Sequence, residues 1–285
     1  MTTDDVQRWA AFAAAPGGGN PAGVVLDARG WSDARMLAVA AEVGYAETAF
    51  VTDPGTLTVR YFSPVAEVPF CGHATVATAV ALAVRQGPGD LVFRTPVGPV
   101  TIVTREADGV VTASFTSVEP RVDDLADDVL DELLGVLGVT RADVDPAHPP
   151  RAAYAGNVHP VVVLRDATTF DAFTFDPAAL RTLMDREGWS GTVTVLHPRG
   201  AAADAPPEYE ARNLFPVGVL TEDPATGSAA AATGAYLRAL GLVAPPARVR
   251  VHQGRHVGRP GVLLVDVPAS GGVTVTGTAT PIDGD

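Results

Sequence analysis

Short valine-rich runs closed off by glycine and proline recur along the chain and read as strands over residues 22–26, 57–62, 100–103, 110–115, 158–164, 192–196, 248–251, 261–267 and 273–279. Helical periodicity is rarer and predicts helices over 33–43, 74–85, 125–137, 177–187 and 228–240. Several strands per helix is not the strict alternation of a doubly wound sheet, which argues against a Rossmann-type fold. The segment 33–43 sets Leu37, Ala40, Ala41 and the following Gly44 toward one side, with Arg35 and Glu42 elsewhere, as for a peripheral helix lying on a sheet. Two further stretches, 74–84 and 229–236, carry no charge at all. A helix that is apolar all round is buried on every side, and with Ala, Thr and Gly as its surface it is thin enough for strands to wrap closely. Each half of the chain is therefore expected to be a barrel-like, mostly antiparallel sheet around one central helix, an α/β (α+β) architecture.

The two uncharged helices belong to a repeated pattern. Arg60-Tyr61-Phe62-Ser63-Pro64 leads to Glu67 and Cys71-Gly72-His73; Arg212-Asn213-Leu214-Phe215-Pro216 leads to Glu222 and Thr226-Gly227-Ser228. Glu67 to Glu222 and Gly72 to Gly227 are both offset by 155 (222 − 67, 227 − 72), which aligns Cys71 with Thr226 and His73 with Ser228. The Arg-to-Pro half is offset by 152 (212 − 60), so three extra residues fall between Pro216 and Glu222. Duplication implies two similar domains, 1–118 and 119–267, with the C-terminal strand, about 268–285, returning to the first. The stretch 118–150 carries Asp123, Asp124, Asp127, Asp128, Asp131 and Glu132 and reads as an acidic, solvated helix opening the second half.

Composition narrows the class of function. An apolar fraction of 47% is enough for a core in each half. The net charge of −13 (20 − 33), with no block of Lys or Arg, argues against nucleic acid or an anionic membrane as the main partner. Residues 1–8 are polar and lack the basic start and apolar stretch of a secretory signal. The apolar runs are too short to span a bilayer, and the single cysteine excludes an internal disulfide framework and suits a reducing compartment. A cytoplasmic protein is expected.

Gly72 and Gly227 each open a buried helix, leaving first-turn N–H groups and the aligned peptide dipoles available to an anion. The two entrances suit one small carboxylate between them. Against this, Gly and Ser start helices for local reasons, Ser228 then being a plain N-cap; the duplication with different polar residues favours the ligand. His73 reads equally as a packed core histidine or as a substrate contact and proton relay. Glu47, outside the repeated pattern, is a lone carboxylate in an apolar, strand-like segment. It is either an edge-strand residue facing water or a partly buried general acid/base. Asp223, before Pro224, suits a turn as well as a site. Glu67 and Glu222, recurring with Arg60 and Arg212, suit a structural duty before each helix. His252 and His256 have the spacing of a helical zinc pair but lie on a strand and a turn, so no metal is expected. The Gly17 to Asn20 run lacks Rossmann spacing and reads as a turn, and Gly227-Ser228 lacks the second glycine of a nucleophile elbow.

Taken together, Gly18-Gly19-Asn20-Pro21-Ala22-Gly23, Ala46-Glu47-Thr48-Ala49-Phe50, Arg60 to Pro64 with Glu67, Cys71-Gly72-His73-Ala74-Thr75, Glu222 to Ser228, and Gln253-Gly254 with Gly258-Arg259-Pro260 resemble the phenazine-biosynthesis PhzF-like family of the diaminopimelate epimerase superfamily. The resemblance covers nearly the whole chain. It implies two similar domains, usually a homodimer, and cofactor-free isomerisation of a small amino-carboxylate, as for trans-2,3-dihydro-3-hydroxyanthranilate. By motif it makes Glu47, His73 and Asp223 catalytic, and Asn20, Gly72, Gly227 and Ser228 substrate-binding. A two-base racemase of that superfamily needs a thiol at each helix start. Here Cys71 supplies one and Thr226, far too weak an acid, stands at the other, which favours a proton shuttle by one carboxylate. The alternatives are an isomerase of another unsaturated amino-acid precursor in secondary metabolism, a racemase or epimerase using Cys71, and a non-catalytic metabolite-binding protein.

Overall fold

The computed structural model describes residues 6–200, 205–216 and 221–282. The start of the polar N-terminal segment, the extra residues before Glu222, and the end of the predicted C-terminal strand lie outside the described residues.

The chain divides into two compact units, Met1–Thr116 with Thr276–Asp285, and Ser117–Val275. The first contains β1 (Gln7–Ala11), β2 (Asn20–Val25), α1 (Asp33–Val43), β3 (Glu47–Asp53), β4 (Thr58–Phe62), β5 (Glu67–Val68), α2 (Gly72–Gln86), β6 (Asp90–Thr95), β7 (Gly98–Ala107) and β8 (Val110–Thr116). The second contains β9 (Arg121–Asp124), α3 (Asp127–Val136), β10 (Arg151–Tyr154), β11 (Val158–Val163), α4 (Ala167–Ala172), α5 (Pro177–Glu187), β12 (Val193–Arg199), β13 (Glu208–Leu214), β14 (Glu222–Asp223), α6 (Gly227–Ala239), β15 (Ala247–Gln253) and β16 (Gly261–Val267). The last strand, β17 (Thr274–Pro281), belongs from Thr276 onward to the first unit.

Pairing follows one scheme twice. In the first unit β1–β2 is antiparallel, β2–β3 parallel, β3–β4 and β4–β5 antiparallel, β4–β6 parallel and β6–β7 antiparallel. In the second, β10–β11, β11–β12, β12–β13, β13–β14, β13–β15 and β15–β16 repeat that order of senses. The pairings β7–β8, β8–β17 and β17–β1 close the first unit into an eight-strand barrel.

Each central helix is buried as its lack of charge requires. In α2 every residue from His73 to Ala83 is buried, and the helix packs on β1, β2, β3, β7 and β8. In α6 Gly227 and the run from Ala229 to Leu237 are buried, and it packs on β9, β10, β11 and β16. Small residues are a geometric necessity there. A Cβ added to Gly234 would stand 2.8 Å from Val265 of β16 and 2.9 Å from Val273, just ahead of β17, so only glycine lets α6 approach them this closely. The acidic helix α3 is solvated on one face only: Leu130, Leu133 and Leu134 enter a core with Phe170, Leu183 and Val195. Among the described residues no helix is long and apolar enough to cross a membrane.

Candidate active site

The turn ahead of β2 brings Asn20 inward. Gly19 takes φ +71°, and a Cβ there would sit 2.4 Å from the Ala11 carbonyl oxygen, so the loop closes only with glycine. Asn20 is buried, and its amide nitrogen lies 3.2 Å from His73 Nδ1. His73 is the second residue of α2. The helix is capped by Cys71, whose side chain accepts nothing from the first turn. Cys71 Sγ lies 3.5 Å from Glu47 Oε2 and 3.3 Å from His73 Nδ1. His73 Nε2 stands 3.5 Å from Glu47 Oε2.

Glu47 opens β3, which pairs with β2 on one side and β4 on the other. The edge-strand alternative is thereby removed. Its side chain keeps 21% exposure, whereas that of His73 keeps 7%. Burial drives the His73 pKa down to about 4, against an opposing hydrogen bond to the backbone of Pro21, so the ring is neutral at neutral pH. The first unit therefore assembles Asn20, Glu47, Cys71 and His73 around the start of α2.

The second unit has its own cluster at the start of α6. The N-cap is Thr226, in the place Cys71 holds in α2, and its side chain likewise accepts nothing from the first turn. The plain N-cap reading of Ser228 does not hold, because Ser228 lies inside the helix. Its hydroxyl meets His159 Nε2 at 3.1 Å. The Thr226 hydroxyl donates to Asp223 Oδ2, while the Thr226 N–H donates to Gln253 Oε1 at 3.1 Å and Gln253 Nε2 donates to the Asp223 carbonyl at 2.6 Å. Asp223 and Ser228 thus flank one helix start, and Gly227 begins it.

His159 and Gln253 were not picked out as site residues from sequence. His159 is fully buried, and desolvation lowers its pKa to about 4. Its Nδ1 faces the Thr192 backbone at 3.0 Å, and the Thr192 hydroxyl donates to Asn213 Oδ1 at 2.7 Å. A Cβ on Gly191 would fall 2.4 Å from the imidazole, so the glycine makes room for the ring. The available signal was a repeat that extends further upstream than its motif. Thr48 pairs with Phe62 and Phe62 with Glu67; Val193 pairs with Leu214 and Leu214 with Glu222. In that register Glu47 corresponds to Thr192. Glu47 is therefore inside the structural repeat, and the second unit carries a hydroxyl where the first has its carboxylate.

The repeated Arg–Glu pairs tie β4 to β5 and β13 to β14. Arg60 donates from Nε and Nη2 to Glu67 at 2.7 Å each. Arg212 donates from Nη2 to Glu222 at 2.9 Å and from Nη1 to the Phe173 carbonyl at 3.0 Å. The two histidines with zinc-like spacing part company: His252 meets Glu208 at 2.7 Å and His256 meets Asp171 at 3.1 Å.

Comparison with known proteins agrees with this architecture. An uncharacterized isomerase of Escherichia coli (strain K12) is 32% identical over 284 residues, covering 94% of this chain and 93% of the relative. The trans-2,3-dihydro-3-hydroxyanthranilate isomerase of Pseudomonas chlororaphis is 32% identical over 258 residues, covering 89% of this chain and 87% of that protein. The crystal structure of the Bacillus anthracis phenazine biosynthesis protein of the PhzF family shares the fold, with a TM-score of 0.83 at 24% identity over 98% of this chain and 96% of that one. The profile of the family described as phenazine biosynthesis-like protein matches residues 9–284. The chain is an isomerase that belongs to the PhzF family.

Proposed function

We propose that the protein moves a proton between carbons of a small, unsaturated amino-carboxylate, with Glu47 as the single general acid/base. The observation that supports this most directly is the reach of Glu47. Its carboxylate remains partly exposed on a strand paired on both sides, while the neighbouring Asn20 and His73 are buried and hold their places. A base must touch the carbon acid, and its supporting groups must not move. His73, neutral at working pH, orients substrate or relays a proton. Asn20 and the helix start at Gly72 offer N–H groups to the substrate's polar end. In the second unit Gly227, Asp223 and Ser228 form the matching polar helix start and are the second set of substrate-binding candidates. The name of the Pseudomonas chlororaphis relative makes trans-2,3-dihydro-3-hydroxyanthranilate the first compound to assay, and precursors of other secondary metabolites the next. A cytoplasmic homodimer needing no cofactor completes the proposal, its assembly checked by light scattering.

Turnover is followed by NMR in deuterated water. Wild-type protein is expected to place solvent deuterium on product carbon, and Glu47→Gln to lose turnover by about 10²- to 10⁴-fold. Full turnover by Glu47→Gln, or no carbon-bound deuterium, overturns the mechanism. Cys71→Ala separates the thiol alternative, since a Cys71-dependent racemase loses all activity with it and the Glu47 shuttle does not. Nothing about Thr226 supports a second base, because its hydroxyl is spent on Asp223.

A further inference from the structure

We infer that Gln253 is a positioning residue of the candidate site, locking Asp223 and the start of α6 in the arrangement that meets substrate. The inference rests on the reading that Asp223 is a substrate contact. Gln253 closes β15 and is 1% exposed. Beside it in register stand Ala211 of β13 and Gly261 of β16, neither of which carries a charge. Gly254 follows with φ +89°, and a Cβ there would stand 2.5 Å from the Pro224 carbonyl oxygen and 2.3 Å from that of Arg259. Glycine thus lets the end of β15 close directly on the turn at Asp223 and Pro224.

The amide has one orientation. A backbone N–H can only donate and a backbone carbonyl can only accept. The Thr226 N–H at 3.1 Å therefore fixes one end as Oε1, and the Asp223 carbonyl at 2.6 Å fixes the other as Nε2. The second Nε2 hydrogen goes to Thr226 Oγ1 at 3.0 Å. That hydroxyl, already accepting, directs its single proton to Asp223 Oδ2. Gln253 thus holds the backbone of the turn itself and, through Thr226, the Asp223 carboxylate.

The first unit shows that a helix start of this kind needs no such amide for support. The offset of 152 carries Thr58 to Glu210 (58 + 152), so the pairing of Thr58 with Arg94 corresponds to that of Glu210 with His252. Thr95 is then the counterpart of Gln253. Its hydroxyl donates to the Gly98 carbonyl at 2.8 Å, inside its own hairpin. Two residues separate Thr95 from its partner Gly98, whereas seven separate Gln253 from its partner Gly261 (98 − 95 − 1, 261 − 253 − 1). The offset of 155 places Val68 opposite Asp223 (223 − 155), in agreement with the pairings of Tyr61 with Val68 and of Asn213 with Asp223. The amide and the longer turn therefore occur together with the carboxylate, and the unit that lacks one lacks the other.

Steady-state kinetics on folded full-length protein tests the role. Gln253→Met keeps the length of the side chain but strands its partners, and is expected to raise KM by about 10-fold with kcat changed by less than about 3-fold. Gln253→Glu adds a readout that mere support of the fold would not move. An ionised carboxyl there sets an oxygen against the Asp223 carbonyl, whereas a protonated one donates to it as the amide does. Burial among acceptors raises the pKa of the introduced carboxyl. Its KM, taken relative to wild type at the same pH, is therefore expected to be about 10-fold high at about pH 8 and to return toward wild type at about pH 6. Adding Gln253→Met to Asp223→Asn is expected to raise KM no further, since the amide acts through the carboxylate. A wild-type KM for either folded variant throughout that range overturns the proposal, as does a Gln253→Glu deficit that stays the same at low pH. In wild-type protein the Gln253 side-chain NH2, with both hydrogens bonded, is expected to exchange slowly with deuterated water by NMR; fast exchange overturns the proposal without any variant or substrate. Failure of the underlying reading looks different, because Asp223→Asn then leaves KM unchanged while the slow exchange of the amide remains.

Discussion

At the scale of single residues, the same position in the repeat carries different chemistry in the two units. Glu47 and Thr192 correspond, as do His73 and Ser228, and Cys71 and Thr226. At these corresponding positions the first unit has a carboxylate and a thiol, whereas the second has hydroxyls, backed by the Asp223 carboxylate, by amides and by a buried imidazole. His159 is the residue whose loss tests this division. It touches Ser228 at 3.1 Å and is walled in by Gly191 and Thr192, so in the proposed function its part is to position the serine. His159→Ala is expected to raise KM by about 10-fold, the cost of one lost polar contact, with a smaller change in kcat. His159→Gln, which again offers an amide N–H to the hydroxyl, is expected to recover most of it. Steady-state kinetics on folded variants decides, and an equal fall in kcat with unchanged KM contradicts the positioning role.

At the scale of elements, the Arg–Glu pair shows how one motif serves two environments. Both copies tie a strand to the short strand that leads into a central helix. The first is open to solvent, with side-chain exposures of 26% and 35% for Arg60 and Glu67. The second is buried, at 10% and 6% for Arg212 and Glu222, with the guanidinium stacked 3.9 Å over the Phe173 ring. An exposed pair contributes about 0–1 kcal/mol, whereas breaking a buried one strands a charge and costs about 3–5 kcal/mol. Arg212→Met is therefore expected to lower the urea midpoint severely and Arg60→Met only slightly. Equal effects would contradict the burial argument. The pair also explains why β13 escaped the strand pattern. Glu210, Arg212 and Asn213 are buried polar residues in its middle, satisfied by Arg199 and Arg255, by Glu222, and by Thr192 and Thr194. Polar letters read as loop until their partners are known. The uncharged helices were legible for the opposite reason, since nothing but complete burial accommodates a chargeless face on every side.

At the scale of the whole molecule, two neutral histidines buried at the two helix starts link stability to acidity. His73 and His159 are each held down to about 4, from an ordinary value of 6.5, by desolvation. Their folded values are depressed, so the unfolded chain takes up protons first as pH falls. The stability they contribute is complete above pH 6.5, is lost progressively toward pH 4, and changes no further below that. At about 1.4 kcal/mol per pH unit, each is expected to contribute on the order of a few kcal/mol. Urea unfolding between pH 7 and pH 4 measures this, and His159→Gln is expected to flatten the dependence. An unchanged slope contradicts it. The carboxylates held low by exposed arginine partners, such as Asp27 and Asp131, act only at lower pH and do not blur the window.

The sequence by itself determined the class of fold, the presence of a repeat, the two buried helices and the identity of most polar residues around their starts. Each of these follows from local rules: period, charge, and spacing along the chain. Only the tertiary structure decided that Glu47 sits on a doubly paired strand beside Cys71 and His73, that Ser228 answers to His159, and that Thr192 is the counterpart of Glu47. Those facts depend on strand register, which is set by pairing between segments dozens of residues apart. No local pattern encodes which residue of one strand will lie beside which residue of the next.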